Sequence, residues 1–322
     1  MHIDETIAAL CGNPSAQRRA QSRIEQAREQ WLASKPAADV LAELAEYGAG
    51  ADFEDCSYLA RAIETLEGKS SLIEPLIEGI SRALGDEPLA HVPFRHQKNG
   101  GTSILQLATR GRAALVLLAY DETTADPSPA TVTFSDVERH ELVLAGAADL
   151  RMATLVQEWP DRAAIDLEDR RVVAGESLRL APNEARLSRA VHGRMVVLRF
   201  ARTPSLPAPS RVFSLADGCL MHRASGDRQE SQREMAMALL GRMRRRDAAP
   251  ALAAQARTGS DHLRWQALRE CLALDTGTGF AELLRIAQAP EDPLAAPAQA
   301  LHAQLIEAYP QLKQQEAARC PA

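Results

Sequence analysis

The side chains with the clearest potential for chemistry in this 322-residue chain are three histidines and a glutamate. His91 and His96 flank the segment Val-Pro-Phe-Arg, and Glu138 and His140 stand two residues apart. Two histidines and one carboxylate on one face form the usual site of non-haem Fe(II), with positions open for substrate and oxygen. These four residues are therefore the candidate metal ligands, and Fe(II) is the cofactor that they would hold.

The spacing of the first two histidines also allows a different interpretation. His91 and His96 are five residues apart, which places them on opposite faces of a regular strand. They converge on one metal only if Pro93 bends the chain between them. Otherwise both are polar loop residues that lead into the first strand.

Arginines in the same region offer a second kind of chemistry. Arg95 and Arg186 are candidate ligand-binding residues, because guanidinium groups donate forked hydrogen bonds to carboxylates and phosphates. They would do so if they line the mouth of a barrel. The alternative is that Arg95, Arg186, Arg189 and Arg194 face outward from alternating strands, as we expect for Arg199.

The elements that must position these side chains fall into three regions. Residues 1–87 have the pattern of helices, residues 88–223 that of short strands, and residues 224–322 that of helices again. The predicted fold class is therefore α+β, with a helical N-terminal segment, a central antiparallel barrel or sandwich and a C-terminal helical region.

Local signals support individual elements within these regions. Asn13-Pro14 marks a helix start, because asparagine caps free amides and proline has no amide to leave unpaired there. Ser71 is expected to cap the fourth helix. The turns Arg110-Gly111 and Asp217-Gly218 lie between apolar runs and predict hairpins. Helical spacing in the C-terminal region predicts a buried set consisting of Trp265, Leu268, Leu272, Leu283, Ile286, Leu301 and Leu305.

Two stretches of the strand-rich region, about residues 90–200, resemble the motifs of a cupin, a small antiparallel β-barrel. The first is Glu138-Arg139-His140-Glu141-Leu142-Val143-Leu144-Ala145-Gly146. In the cupin pattern, two histidines one residue apart are followed by a glutamate and a glycine. Glu138 stands at the place of the first histidine, His140 at that of the second, and Gly146 at the turn. The resemblance thus makes His140 the first candidate ligand.

The second stretch departs from the cupin pattern at the position that matters most. Gly175 begins it as expected, Pro182 comes one residue late, and Asn183 replaces the turn glycine. Arg186 replaces the histidine that binds metal in the family. Because a guanidinium stays protonated and cannot ligate a cation, the resemblance implies a cupin-like domain without the usual metal site.

The C-terminal region resembles HEAT-type helical repeats. The resemblance rests on His262–Arg269, Phe280–Ile286 and the break at Asp292-Pro293. It implies a scaffold that stacks helix pairs, and thus a surface through which the C-terminal helices could bind a protein partner.

Composition excludes several classes of protein. Residues 1–90 hold 16 acidic and 8 basic side chains, which disfavours nucleic acid as a partner. The longest apolar run, Ala113–Ala119, is too short to span a bilayer, so no membrane partner is expected. Five scattered cysteines with no CxxC pair fit a reducing compartment, and no secretory signal is visible. We therefore expect a cytoplasmic protein.

Two hypotheses for the function follow. The first is an accessory or regulatory protein that binds a small molecule or peptide through a cupin-like domain. The second is an Fe(II)-dependent oxygenase of the hydroxylase type with a non-standard ligand set. The arginine at position 186 favours the first, and the three histidines keep the second open.

Overall fold

The computed structural model describes residues 13–88, 90–123 and 129–312, which form nine α-helices and ten β-strands. The chain divides into two compact units, one holding residues 1–205 and 211–222 and the other residues 206–210 and 223–322. Among the described helices, none is both long and apolar enough to cross a membrane. Cys56, Cys219 and Cys271 are free thiols, and Cys11 and Cys320 lie outside the described residues.

Four α-helices precede the strands of the first unit. They are α1 Pro14–Ala33, α2 Lys35–Ala49, α3 Ser57–Glu64 and α4 Leu66–Asp86, with a short 3-10 helix Phe53–Asp55 after α2. The Asn13 side chain caps α1 by accepting from two backbone amides, as predicted. The expected start of α4 at Ser71 is wrong. Thr65 caps the helix instead by accepting from the amide of Gly68 at 2.9 Å, so the helix begins at Leu66 and not after Ser71.

All strand pairs are antiparallel and form two sheets. The strands are β1 Arg95–Asn99, β2 Thr102–Arg110, β3 Ala113–Tyr120, β4 Thr131–Phe134, β5 Glu138–Glu158, β6 Ala163–Val173, β7 Ser177–Leu180, β8 Glu184–Arg202, β9 Ser210–Ser214 and β10 Leu220–Ala224. The larger sheet has the order β1-β2-β3-β8-β5-β6, with β7 paired to β5, and the smaller sheet has the order β10-β9-β4. The hairpin turns predicted at Arg110-Gly111 and Asp217-Gly218 are both present, with each glycine at positive φ.

The long strands β5 and β8 pair with each other along most of their length, and irregularities near the middle divide this ladder into two parts. Register shifts interrupt their pairing between Val143 and Ala147, where Gly146 has a φ of 81°. A Cβ atom at Gly146 would lie 2.4 Å from the carbonyl oxygen of Arg194. The close approach of the two backbones therefore requires glycine at this position.

Side chains alternate between two apolar clusters on the first half of β5. Leu142 packs in a cluster with the N-terminal helices, and Val143 packs in a second cluster with Leu150 from the other half of the strand. The strand is thus buried on both faces, since successive side chains point to opposite sides of a sheet. The second cluster lies in the interior of the β structure.

No apolar alternation in the sequence marks the strand β6. Its central residues are exposed, so it lacks the apolar alternation on which the prediction depended. Cross-strand ion pairs support it instead. Asp169 accepts from Nε of Arg151 at 2.8 Å and from Nη1 of Arg189 at 2.6 Å.

The second unit contains the remaining helices. They are α5 Arg228–Arg242, α6 Ala249–Gln255, α7 Asp261–Leu274, α8 Thr276–Ala287 and α9 Ala295–Ala308, with a 3-10 helix Arg246–Ala248 before α6. Leu268, Leu283 and Ile286 are fully buried in its apolar core, as predicted. Trp265 and Leu301 are only half-buried and pack at the edge of that core.

Candidate ligand-binding site

His140 points toward the N-terminal helices and not into the interior of the β structure. Its ring stacks on Phe53 with centroids 3.6 Å apart and planes 7° from parallel, and its Nε2 lies 3.1 Å from Oε1 of Glu138. Burial lowers the pKa of His140, and the hydrogen bond to Glu138 only partly opposes this effect. His140 is therefore a packed core histidine at neutral pH.

Glu138 interacts with two arginines and with His140 at the edge of a cleft. Its Oε2 accepts from Nη2 of Arg202 at 2.7 Å, and its Oε1 interacts with His140 and with Arg179 at 3.4 Å. Burial alone would raise the pKa of Glu138, but His140 and Arg202 hold it below its usual value. The adjoining cleft of about 370 Å³ is also lined by Arg112.

The arginines beside this cleft have structural partners. Arg202 donates to the carbonyl oxygens of Tyr47 and Ala51, and Arg112 donates to that of Gly48 at 3.2 Å. These carbonyls lie at the end of α2, where cations complement the negative end of the helix dipole. These arginines therefore connect α2 to the sheet, and few of their donors remain for a ligand in the cleft.

The two other candidate histidines do not share the buried position of His140 beside Glu138. His91 and His96 are exposed, the first before β1 and the second within it, and Arg95 is exposed beside them on the same edge strand. Among the described residues, no group of three or more histidine, cysteine, aspartate and glutamate side chains is placed to hold a metal ion. The structure thus gives no common site to His91, His96, Glu138 and His140.

Arg186, in contrast, lies inside the β structure and forms an ion pair there. Its Nε donates to Oε2 of Glu141 at 2.5 Å, and the side chains are 6% and 1% exposed. Arg199 pairs with the other oxygen of Glu141, from Nε at 2.7 Å and from Nη2 at 2.5 Å. Two guanidinium groups from different halves of β8 therefore share one buried carboxylate of β5.

Two further side chains complete this group, which we call the arginine cluster: Arg139, Arg186 and Arg199 around Glu141, with Tyr120. Arg186 donates from Nη2 to the hydroxyl of Tyr120 at 2.8 Å. Arg139 donates from Nη2 to the backbone carbonyl of Glu184 at 2.6 Å. The Nε of Arg139 is buried and has no hydrogen-bond partner among the described residues.

The electrostatics of the arginine cluster keep its members charged. Burial would raise the pKa of Glu141, but Arg186 and Arg199 hold it below its usual value. Burial would likewise lower the pKa of Arg186, but Glu141 and Tyr120 raise it. Burial lowers the pKa of Arg139, and Arg199 lowers it further. Arg139 is thus the cation whose charge is least compensated.

Sequence reasoning found only one member of the arginine cluster. The sequence predicts Arg186 as a ligand-binding residue but does not predict Arg139, Glu141 or Tyr120. The expectation that Arg199 faces outward is wrong, because its guanidinium pairs with the buried Glu141. A signal was present at Glu141, because a carboxylate within the apolar run Glu-Leu-Val-Leu requires a buried cationic partner. The partner itself could not be read from the sequence, because Arg186 is 45 residues away.

The second unit contains an apolar groove of about 680 Å³. It is lined by the half-buried predicted core residues together with residues at the end of the described chain: Trp265, Leu272, Leu301, Leu305, Tyr309 and Leu312. The predicted burial of Trp265, Leu272, Leu301 and Leu305 is therefore only partial, because α7 and α9 leave a gap between them that none of the described residues fills.

No protein-family model and no curated protein matches the chain. Among solved structures, the chain is similar to KdgF from Halomonas sp., with 13% identity and a TM-score of 0.26 over 34% of this chain and 88% of KdgF.

Two other solved structures show similarity of the same size. One is a cupin superfamily protein from Desulfitobacterium hafniense DCB-2, with 16% identity and a TM-score of 0.24 over 34% of this chain and 83% of that one. The other is HutD from Pseudomonas fluorescens SBW25, with 16% identity, a TM-score of 0.25 and 35% of this chain covered; the match spans 58% of HutD. The neighbours thus include a protein of the cupin superfamily, and each match covers about a third of this chain.

Proposed function

We propose that the first unit binds a small anionic molecule, a carboxylate or a phosphate, at the arginine cluster, and that the protein is an accessory or regulatory binding protein built on a cupin-like domain. The observation that carries the proposal is the charge of the cluster. Three arginines, Arg139, Arg186 and Arg199, are opposed by two carboxylates, the shared Glu141 and Glu184, which acts on Arg139. One positive charge is left over, and a bound anion would compensate it.

The hydrogen bonds within the cluster support a division of roles. Arg199 uses Nε and Nη2 on Glu141, and its side chain is 23% exposed, so its Nη1 is available to a ligand. The Nε of Arg139 offers a second donor. Arg186 donates from Nε to Glu141 and from Nη2 to Tyr120, so it orients the carboxylate that holds Arg199 in place. The ligand would therefore contact Arg199 and Arg139 directly.

The Fe(II)-dependent oxygenase gains no support from the geometry. Its first ligand, His140, lies on the opposite face of β5 from the arginine cluster, packed against Phe53. Retention of about one equivalent of ferrous iron by the wild type, lost in His140→Ala, would nevertheless favour this function over anion binding.

Thermal unfolding of the full chain in the presence of citrate or phosphate tests the proposal. A ligand that binds only the folded protein stabilises it by about 2.7 kcal/mol at a hundredfold excess over Kd. We expect citrate or phosphate to raise the Tm of the wild type and of Arg170→Ala, which removes an exposed arginine of β6. The same anion should raise the Tm of Arg199→Ala much less. Equal shifts in all three proteins would show a general salt effect and contradict the proposal.

A further inference from the structure

We propose that α5 and the turn that follows it form a docking surface for an acidic amphipathic helix of a partner protein. The apolar part of this surface is a stripe of exposed side chains. Met235, Leu239 and Met243 are 65%, 58% and 55% exposed, and they follow one another at intervals of four residues. Residues at this spacing share one face of a helix, so the three side chains form a continuous apolar strip.

The helix is anchored by its other face. Met237 is 5% exposed and packs in the apolar core of the second unit, and its position on the helix is roughly opposite that of the stripe. The Asp227 side chain caps the start of α5 by accepting from the amide of Glu230 at 2.9 Å. The stripe is therefore presented on a fixed helix. Methionine suits such a surface, because its flexible thioether adapts to different partners.

The stripe ends in a group of arginines. Arg242, Arg244 and Arg246 follow Leu239 closely and are all exposed, and no ion pair joins them to a carboxylate of the described residues. Arg245 differs, since it pairs with Asp247 at 2.7 Å. The surface is thus apolar along the helix and cationic at its end.

One of these arginines occupies a strained position. Arg244 has a φ of 53° and is the one non-glycine residue in the left-handed region within the described part of the chain. Its amide donates to the carbonyl of Gly241 at 3.0 Å, and the next amide donates to that of Leu240 at 3.1 Å. Glycine is the usual residue at this position after a helix, because a Cβ atom there costs free energy. An arginine at this costly position indicates that its guanidinium has a function.

The combined features select one class of partner. A helix with apolar residues at intervals of four would cover Met235, Leu239 and Met243, and carboxylates along its flank would pair with Arg242 and Arg244. Nucleic acid would satisfy the arginines but would leave the apolar stripe uncovered. The acidic amphipathic helix is the occupant that fits both parts of the surface.

A labelled synthetic peptide tests the inference with the full-length chain. The probe carries leucines at helical spacing on one face and glutamates on the other, and a scrambled peptide of the same composition is its control. By fluorescence anisotropy at low ionic strength, we expect the amphipathic peptide to bind at least about tenfold more tightly than the scrambled one. Leu239→Ser and Arg244→Gly should each weaken binding about tenfold. Arg171→Ala, which removes an exposed arginine of β6, should leave it unchanged.

The Tm separates loss of binding from loss of structure. Arg244→Gly should not lower the Tm, since glycine relieves the left-handed backbone. Equal affinity for both peptides would overturn the inference. So would single-stranded DNA binding that Arg244→Gly abolishes and Leu239→Ser does not, because the surface would then bind nucleic acid. A concentration-dependent dimer in sedimentation that Leu239→Ser dissociates would assign the surface to a second copy of the chain.

Discussion

Arg186 and Glu141 form a buried ion pair across the interior of the β structure, with Nε and Oε2 2.5 Å apart. Arg186 lies opposite Met152 of β5, and Glu141 lies opposite Arg199 of β8, so the two residues stand in different parts of the β5–β8 ladder. Neither charge is exposed to solvent, and each therefore depends on the other. The pair links the fold of the first unit to the proposed ligand site, because Glu141 also holds Arg199.

Removal of the shared carboxylate should destabilise the first unit strongly. Glu141→Gln leaves Arg186 buried without a counterion, and breaking a buried pair in this way typically costs about 3–5 kcal/mol. Urea denaturation of the full chain measures the change. Asp247→Asn is the matched control, because it breaks the exposed pair with Arg245 and should have little effect. A similar midpoint for both variants would show that the Glu141 pair is not buried in solution.

His140 should make stability fall as the pH is lowered. Burial holds its pKa below the usual value, so the unfolded chain binds the proton first and acid favours unfolding. The contribution is fully present above a pH of about 6.5 and is lost as the pH falls through the folded-state pKa. Glu141 also has a lowered pKa, but its effect begins only below a pH of about 4.3.

The variant His140→Phe separates this contribution from the others. It keeps an aromatic ring against Phe53 but cannot take up a proton. We expect the free energy of unfolding of the wild type to fall relative to that of the variant as the pH falls from about 7 to 5. A difference that is constant over this range would mean that the pKa of His140 is the same in both states.

Gly146 should tolerate alanine much less well than Gly193. Both glycines have positive φ, 81° and 70°, so alanine at either position carries a backbone cost of about 1–2 kcal/mol. Only at Gly146 would the new Cβ collide with backbone, 2.4 Å from the carbonyl oxygen of Arg194, whereas nothing lies within 4 Å at Gly193. Thermal unfolding should therefore show a larger loss of Tm for Gly146→Ala. Equal losses would argue against the close approach of β5 and β8.

In the second unit, truncation of Leu268 should cost more than truncation of Trp265. Leu268 is fully buried, and Leu→Ala at such a site typically costs about 2–5 kcal/mol. Trp265 lies at the edge of the apolar groove, so its removal creates a smaller cavity and less loss of buried area. Urea unfolding followed by far-UV circular dichroism compares the two. A greater loss for Trp265→Ala would place that ring inside the core, as the sequence alone suggested.

The sequence by itself determined the elements whose signals are local. Asn13 caps α1 through amides two and three residues away, and Asp217-Gly218 closes a hairpin within its own turn. Each of these depends on groups only a few residues apart, so the residue types suffice to predict them.

Tertiary structure decided which side chains meet. The strand β6 is held by ion pairs between strands rather than by an apolar pattern, so its own residues did not reveal it. Strand geometry places His140 and Glu141 on opposite faces of β5. Which of the two faces meets the N-terminal helices depends on what packs against the strand. Arg186 and Glu141 stand in different parts of the β5–β8 ladder, whose register shifts in the middle, and they meet only in the folded structure. Such contacts depend on the path of the whole chain, and residue types alone do not specify that path.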